Sequence, residues 1–436
     1  MNNKNEFSYM GTVSLIVNLP FGETYIKFKL ELDGATTVLE PKKMVGIADA
    51  PQALKRSLLE PINSTSLQEL AKNSKHPCII VSDSTRPTPS GLIAEAALEQ
   101  LHAAGVNEND VTIVVATGLH RQCDRSELTE MLGARLVRRL KVVNHVAAET
   151  QNLVKIGDTE RGTPLWLNKN VFESDLVIGD GYIEPHFFAG YTGGGKNILP
   201  GVSGLETIMK NHSSTMIDDK NSRSGILEDN PIYCDIVDGA RIAGYDFSIN
   251  VTLNNEKRVS GVFSGDFESA HRAGSRFLEK YIMAEAKPAE IVVTTNGGYP
   301  LDRDLYQSVK GMTVGESVVK EGGVIIVTSE CRDGVGHADF KKLVIENDGP
   351  ESILEEIRTP GFNMIDQWQA QILARVLLRA EVIMVTSVIE AETIRRMHMT
   401  PAKDLKNALK KAKRISGRDP QMCVIPGGPS IIPKTT

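Results

Sequence analysis

Three histidines and one lysine are the side chains whose types and positions indicate chemistry. His120, His186 and His212 each lie in or just after a loop rich in Gly, Pro and Ser, and Lys196 ends the segment "AGYTGGGK". Imidazole is the natural acid or base near neutral pH, and it is also a common ligand of nickel, copper or zinc. These residues therefore predict acid–base catalysis, metal binding, or both.

A histidine taken singly is more often a surface or hydrogen-bonded structural residue than a catalytic one. That interpretation is applied to His76, His102, His271 and His398, while His145 and His337 are left unassigned. Three histidines near one edge of the predicted sheet favour a functional site, because ligands of such sheets bind at the carboxyl ends of the strands.

The segment that ends in Lys196 raises the alternative of an NTP-binding enzyme, because Gly190–Lys196 matches the phosphate-loop pattern G-x-x-x-x-G-K. Such a loop requires a strand running directly into it, a Ser or Thr after the lysine, and a helix that begins there. Here Asn197 follows the lysine, the preceding predicted strand ends well before the loop, and Pro200–Gly201 would end any helix. An NTP-binding enzyme is therefore the disfavoured reading.

The glycines of this segment still have a physical role. Without side chains, they allow backbone N–H groups to approach a phosphate closely. We expect a single phosphate of a nucleotide cofactor to contact Gly193, Gly194 and Gly195.

An arginine in a stiff loop indicates an acidic ligand. Arg86 in "SDSTRPTPS" is followed by Pro87 and has Pro89 two residues further on, and both prolines restrict the backbone. A rigid guanidinium suits two parallel hydrogen bonds to a carboxylate, which predicts an organic acid as substrate. The alternative is a surface ion pair with Asp83, three residues earlier.

A second polar pair follows the first strand of the second half of the chain. Gln307 and Lys310 are three residues apart, so they share one face if "RDLYQSVKGM" is a helix. They would then contact the same ligand. The alternative is an ordinary solvated helix face.

The elements that position these residues are short apolar runs separated by helical stretches, which predict an α/β fold. The runs are "PCIIVSD", "VTIVVATG", "LKVVNH" and "DLVIGD", and later "IVVTTNGG", "GGVIIVTSE", "AEVIMVTSV" and "QMCVIPGG". The opening segment alternates apolar and polar residues and predicts a hairpin. We expect two domains, each with a mainly parallel sheet flanked by helices: an N-terminal catalytic, cofactor-anchoring domain (residues 1–287) and a C-terminal α/β domain (residues 288–436), with the active site in the interdomain cleft.

Composition narrows the class of partner. A formal charge of -6 and a pI near 5.9 give no reason to expect nucleic acid, and no long apolar stretch indicates a signal peptide or a membrane anchor. The five cysteines are widely spaced, which favours neither a disulfide framework nor structural zinc. We therefore expect a cytoplasmic protein with a small-molecule ligand.

The sequence resembles nickel-dependent lactate racemase and its relatives among the 2-hydroxyacid racemases and epimerases. The matching segments are "SDSTRPTPS", "ATGLHR", "EPHFFAGYTGGGKNILPG", "KNHS" and "NGGYPLDRDLYQSVKG". They cover both halves of the chain. The string H-x-x-A-G-Y-[ST]-G-G-x-K, from His186 to Lys196, is the most specific of them.

The resemblance implies a cofactor and a set of roles. The cofactor is a nickel-pincer nucleotide, pyridinium-3-thioamide-5-thiocarboxylic acid mononucleotide, attached covalently to Lys196 and loaded by cofactor-biosynthesis proteins. His212 would be the protein ligand of nickel, and His120 and His186 would be the acid/base pair on opposite faces of the substrate. Among the remaining matched residues, Asp83 would contact the cofactor, and the substrate would be bound by Arg86, Gln307, Lys310 and Trp368.

The implied reaction is racemisation by hydride transfer through a planar 2-oxoacid. We expect a small monocarboxylate such as lactate, while malate, longer aliphatic or aromatic hydroxy acids and sugar acids remain open as substrates. A further alternative is a non-catalytic carrier of the nickel cofactor. A carrier would need Lys196 and His212 but would have no use for His120 and His186.

Overall fold

The computed structural model describes residues 13–32 and 35–435. The first twelve residues, on which the expectation of an unexported N-terminus partly rests, and the two residues that end the predicted hairpin lie outside this range. The strands are β1 (Val13–Phe21), β2 (Thr24–Leu32), β3 (Thr36–Val38), β4 (Pro77–Ser82), β5 (Thr112–Ala116), β6 (Lys141–Asn144), β7 (Leu153–Asp158), β8 (Pro164–Asn168), β9 (Leu176–Tyr182), β10 (Pro185–His186), β11 (Gly190–Tyr191), β12 (Phe247–Leu253), β13 (Val259–Gly265), β14 (Met283–Ala286), β15 (Ala289–Thr295), β16 (Val319–Thr328), β17 (Glu381–Val385), β18 (Thr400–Ala402), β19 (Met422–Ile425) and β20 (Ile432–Thr435).

The helices lie mostly between these strands. The α-helices are α1 (Ala50–Leu59), α2 (Leu67–Ala71), α3 (Ser90–Ala103), α4 (Arg125–Leu132), α5 (Ala134–Arg139), α6 (Lys169–Phe172), α7 (Leu205–Asn211), α8 (Ser214–Asp218), α9 (Pro231–Ile242), α10 (Phe267–Ile282), α11 (Leu305–Glu316), α12 (Ala338–Ile345), α13 (Pro350–Ile357), α14 (Gln367–Arg379), α15 (Ala391–Arg396) and α16 (Leu405–Ser416). The short 3-10 helices are Glu108–Asp110, Thr150–Asn152, Gly194–Asn197 and Gly428–Ser430. Within the described residues, none of the helices has the length and apolar character needed to cross a membrane.

The chain divides into two compact units. Lys42–Ile282 forms one, called here the central unit, and Met283–Thr436 forms the other together with the described residues before Lys42, called here the C-terminal unit. The sequence predicted one domain boundary, near Lys287–Pro288. In the structure the boundary between the two units falls between Ile282 and Met283, and the described residues before Lys42 belong to the C-terminal unit.

Packing explains why the opening residues join the C-terminal unit. The hairpin of β1 and β2 buries alternate apolar side chains, among them Leu19 and Leu30, in the same hydrophobic cluster as Val293 and Ile326. The three-residue strand β3 then pairs in parallel with β19 at the edge of that unit's sheet. The hairpin itself confirms the prediction from the alternating pattern.

The central unit is built on a six-stranded sheet in the order β13-β12-β9-β4-β5-β6, in which only the β12–β13 pair is antiparallel. Strand β4 shows why its sequence is uniformly apolar. Ile79 and Val81 pack into one hydrophobic cluster, whereas Cys78 and Ile80 pack into another, so helices cover both faces of the sheet.

The C-terminal unit contains a second six-stranded sheet, in the order β18-β17-β16-β15-β19-β3, and all its described pairings are parallel. The eight apolar runs of the sequence correspond to β4, β5, β6, β9, β15, β16, β17 and β19, so the predicted mainly parallel α/β fold is confirmed. Strands β12 and β13 were not predicted. The reason is visible in β12, which buries the polar side chains of Ser248, Asn250 and Thr252 and therefore does not read as an apolar run.

Candidate active site

The loop after β4 carries Asp83 and Arg86 and is held at both of its ends by one buried carboxylate. Asp180 on β9 accepts hydrogen bonds from the backbone N–H and the hydroxyl of Ser82, at 2.8 and 2.7 Å, and from the hydroxyl of Ser90. Ser82 ends β4 and Ser90 begins α3. Asp180 therefore fixes the position of the whole loop.

Asp180 also reaches the lysine loop through its backbone. Its carbonyl oxygen accepts a hydrogen bond from the side-chain amide of Asn197, the residue after Lys196. Burial raises the pKa of the Asp180 carboxyl to about 6, against the effect of the Ser90 and Ser82 hydrogen bonds. Sequence reasoning missed this residue, because it was counted as the last position of a strand.

Asp83 and His120 form a hydrogen-bonded pair. His120, in the loop after β5, places Nδ1 2.6 Å from Asp83 Oδ2, and the Thr85 hydroxyl donates to Asp83 Oδ1 at 2.6 Å. Burial alone would raise the pKa of Asp83, but the hydrogen bond and charge of His120, with help from Thr85 and Arg86, hold it below its usual value. The His120 side chain is 44% exposed.

The geometry of this pair decides the tautomer of His120. Since the Asp83 carboxylate is an acceptor, Nδ1 of His120 carries the proton, and the neutral ring has its lone pair on Nε2. His120 is thereby held in the form that accepts a proton at Nε2.

Arg86 does not form the ion pair with Asp83 that the sequence offered as an alternative. Its Nη1 lies 3.0 Å from Glu184 Oε1, and both side chains are about one quarter exposed. Glu184 comes two residues before His186. The contact therefore ties the arginine loop to the histidine loop, a link that the sequence gave no means of predicting.

His186 lies in a short hairpin in which it pairs with Gly190. The backbone N–H of Ala189 donates to His186 Nδ1 at 3.2 Å, so the neutral ring carries its proton on Nε2. The ring is buried, with its centroid 4.4 Å from that of Phe188. His186 and His120 thus hold opposite tautomers.

Lys196 lies in the one-turn 3-10 helix Gly194–Asn197, not at the start of an α-helix. Its Nζ is 5.9 Å from the centre of the Phe188 ring, and that ring is 4.9 Å from the ring of His212. The absence of a helix after the lysine agrees with the rejection of an NTP-binding loop.

The glycines before Lys196 are closely packed. Gly194 has a φ of +54°, and a Cβ atom there would lie 2.7 Å from the His271 ring. Its N–H donates to Asn250 Oδ1 at 2.9 Å. This packing explains why side chains are excluded, whereas the expected contacts of Gly193, Gly194 and Gly195 with a cofactor stay predictions.

His212 follows directly after α7 and is buried. Its Nδ1 lies 2.9 Å from Asn211 Oδ1, an amide oxygen that only accepts, so the lone pair of the neutral ring is on Nε2. Burial, with the charge of Lys196 adding to it, lowers the pKa of His212 to about 3. The ring is neutral over the whole physiological range, as a metal ligand must be.

Two other histidines of the central unit have structural roles. His145, which was left unassigned, is buried and bonds the carbonyl of Ser203 and the side chain of Asn168. His271 bonds the carbonyl of Thr192, as expected of a structural residue, and burial is the main cause that lowers its pKa to about 4.

The C-terminal unit carries the other predicted site residues. Gln307 and Lys310 lie on α11, so the predicted helix is confirmed, and the Asp304 side chain caps it by accepting from the Gln307 N–H at 2.7 Å. Both side chains are partly buried, which is unlike a fully solvated face. Trp368, in the first turn of α14, is buried and hydrogen-bonds the Tyr306 hydroxyl.

Both halves of the chain match sequence models of one protein family. Residues 21–225 match the lactate racemase N-terminal domain and residues 284–433 the lactate racemase C-terminal domain. A lactate racemase of Thermoanaerobacterium thermosaccharolyticum is 40% identical over 421 residues, covering 95% of this chain and 98% of that protein. One of Lactiplantibacillus plantarum is 41% identical over 385 residues, covering 88% and 91%.

Solved structures similar to this chain include a lactate racemase. The lactate racemase apoprotein of Thermoanaerobacterium thermosaccharolyticum superposes with a TM-score of 0.92 at 40% identity, covering 96% of this chain and 100% of that one. A structural genomics protein of Thermotoga maritima, 18% identical with a TM-score of 0.66 over 91% of this chain and 100% of that one, shares the fold. The protein is thus an isomerase of the racemase class. It belongs to the lactate racemase family.

Proposed function

We propose that this protein racemises a small 2-hydroxy acid, lactate, with a nickel-pincer nucleotide attached to Lys196. The observation that carries the proposal is the pair His120 and His186, whose Nδ1 atoms are fixed in opposite roles by Asp83 and by a backbone N–H. A racemase needs one group that removes a proton and another that supplies it, and the two must exchange roles in the reverse direction. Both relatives that cover most of the chain are lactate racemases.

The residues present fit a nickel cofactor that brings most of its own ligands. Among residues 13–32 and 35–435, no group of three or more His, Cys, Asp or Glu side chains could hold a metal ion. His212 is nevertheless a neutral, buried imidazole with its lone pair on Nε2, fixed by Asn211. A single protein ligand suits an ion whose remaining donors, two sulfur atoms and a carbon, belong to the cofactor.

Lys196 fits the role of the attachment point. Its charge contributes to the lowered pKa of both His212 and His271, and its Nζ and the His212 ring both lie near the Phe188 ring. The packed glycines before it restrict the backbone, which limits where a tethered group can lie. When bound, such a cofactor would supply nickel and an acceptor for the hydrogen on C2, which leaves carbon as a hydride and later returns.

The side chains of the central unit supply binding and proton transfer. Arg86 would bind the substrate carboxylate, with Glu184 fixing the guanidinium through Nη1. His120 would accept the hydroxyl proton at Nε2, and Asp83 would stabilise the imidazolium that forms. His186 would act as the acid in its protonated form, supplying the Nε2 proton to the oxygen when the 2-oxoacid is reduced on its other face and becoming a neutral ring.

In the C-terminal unit, Gln307, Lys310 and Trp368 would complete substrate binding. Lys310 adds a positive charge suited to an acid, and the position of Trp368 is fixed by its bond to Tyr306. Small apolar substituents such as the methyl group of lactate would pack against the indole ring. A carrier that only stores the cofactor would not need the Asp83–His120 pair, which favours the catalytic role.

We expect His212→Ala to lose nickel and activity while keeping the mass addition at Lys196. The protein would be made in a host with the cofactor pathway, and nickel would be measured per chain alongside intact mass. Chiral chromatography would follow the conversion of (S)-lactate to (R)-lactate. The wild type should contain nickel and racemise lactate.

The matched control is His102→Ala, which removes an exposed histidine and should change none of these values. Nickel content equal to wild type in His212→Ala would disprove the metal assignment. A nickel-loaded wild type that converts no 2-hydroxy acid would disprove the proposed function itself.

A further inference from the structure

The C-terminal unit contains a second His–Asp pair that closely matches the first in geometry. His337 Nδ1 lies 2.6 Å from Asp366 Oδ2, and the side chains are 42% and 8% exposed. For His120 and Asp83 the distance is also 2.6 Å, with exposures of 44% and 5%. In both pairs a buried carboxylate fixes Nδ1 while the rest of the ring is accessible.

The aspartate of this pair is held in an unusual backbone conformation. Asp366 has a φ of +65°, in the left-handed region, immediately before α14 begins. Its second oxygen, Oδ1, accepts a hydrogen bond from the Tyr306 hydroxyl at 2.9 Å. Both carboxylate oxygens are therefore engaged, one by a histidine and the other by a tyrosine.

Tyr306 connects the pair to the proposed substrate-binding residues. Its ring stacks on His337 with centroids 3.9 Å apart and planes 3° apart, and its hydroxyl also hydrogen-bonds Trp368. Because an indole N–H only donates, the tyrosine oxygen accepts from Trp368 and donates to Asp366. The side chain of Gln369 bonds the Tyr306 carbonyl, which joins α14 to α11.

We infer that His337 is a positioning residue for substrate binding, which together with Asp366 and Tyr306 fixes Trp368 and releases it when the ring loses its proton. The inference rests on the proposed function in one respect, the role of Trp368 in binding substrate. His337 itself touches Tyr306 and Asp366, so its effect on the substrate is indirect.

The charges around His337 raise its pKa above the ordinary histidine value. Its pKa is raised by the Asp366 hydrogen bond, which outweighs burial; Asp366 and Asp304 add to the rise and Arg303 opposes it. Arg303 is itself paired with Asp333. Tyr306 stays protonated, because burial and Asp366 raise its pKa well above the usual value.

The raised pKa of His337 decides in which direction its interactions change with pH. The fold stabilises the His337 imidazolium. The contribution of this charged form to the stability of the fold is therefore complete below the ordinary histidine pKa and is lost as the pH rises through the raised pKa. Above that pH the ion pair becomes a hydrogen bond from a neutral ring to the Asp366 carboxylate. The constraint on Tyr306 weakens, and with it the constraint on Trp368.

The chain has only two tryptophans, which allows a direct test on the cofactor-free protein. In Trp166→Phe the remaining tryptophan is Trp368, and its fluorescence would be followed while His337 titrates. We expect one transition with a midpoint above about 6.5, the ordinary histidine value. Adding His337→Gln should abolish it.

His398→Asn is the matched control, because His398 is a half-buried histidine of the same unit whose ring bonds the Val344 carbonyl. This variant should keep the transition. A transition that survives His337→Gln, or none in Trp166→Phe, would overturn the inference. If His337→Gln does not fold, Asp366→Asn serves instead and should lower the midpoint, while an unchanged midpoint would count against the inference.

Kinetics of the loaded enzyme provide the second readout. Below the midpoint, KM for lactate should be about threefold to tenfold higher in His337→Gln than in wild type, the effect of about one hydrogen bond, with kcat little changed. The two KM values should converge above the midpoint. Equal KM values at every pH would overturn the inference, whereas an inactive loaded wild type would overturn the proposed function and leave the fluorescence result standing.

Discussion

We expect Lys196→Ala to abolish racemase activity and to leave the chain without any covalent mass addition. The lysine is the proposed attachment point, its Nζ and the His212 ring both lie near Phe188, and the packed glycines before it leave little freedom for another residue to replace it. Intact-mass measurement of protein from a host with the cofactor pathway would show the adduct in the wild type and its absence in the variant. Chiral chromatography would measure the rate.

Two controls make this result specific. Lys196→Arg keeps a positive charge near Phe188 but should also carry no adduct, whereas Lys210→Ala removes an exposed lysine and should keep both adduct and activity. Wild-type protein from a host without the pathway should be folded and inactive. A fully active enzyme with an unmodified Lys196 would contradict the proposed attachment.

His120→Ala and His186→Ala should each lower kcat by about 10²- to 10⁴-fold, the usual effect of removing a positioned acid or base. Each histidine is proposed to supply or remove the hydroxyl proton on one side of the substrate, so neither should substitute for the other. Nickel content and the Lys196 adduct should stay at wild-type levels, because neither ring is the proposed metal ligand. Turnover and metal content would be measured on the same preparations.

This pair of variants is informative because His212→Ala is expected to give the opposite pattern, with nickel lost and the adduct kept. Nickel that falls equally in all three variants would show that the ligand and the acid/base roles are wrongly assigned. His102→Ala again serves as the exposed-histidine control.

The fold was predictable where burial on both faces makes a strand apolar throughout. Strand β4 is such a case, since Ile79 and Ile80 enter different clusters. Strand β12 was missed because its buried side chains include Asn250, which hydrogen-bonds the lysine loop. The placement of β3 was missed because a strand of three residues carries no periodicity, and its pairing with β19 joins distant parts of the chain.

The candidate site was likewise predictable from sequence only in part. Residues within strong local patterns, such as His120 and Lys196, could be proposed because loops after strands could be identified from sequence. Glu184 and Asp180 were missed, because their roles depend on partners about ninety or more residues away, Arg86 for one and Ser90 for the other. His337 was left unassigned for the same reason, since Asp366 lies in a different element.

We propose that the histidines move only the hydroxyl proton, while the hydrogen on C2 is never released to solvent. Direct removal of that hydrogen as a proton is disfavoured, because a C–H beside a carboxylate is very weakly acidic and imidazole has an ordinary pKa of only about 6.5. The most direct measurement is racemisation of (S)-lactate in D₂O by the loaded enzyme, with the label at C2 read by NMR or mass spectrometry at early conversion. We expect (R)-lactate that still carries protium at C2, and substantial deuterium at C2 would contradict the hydride mechanism.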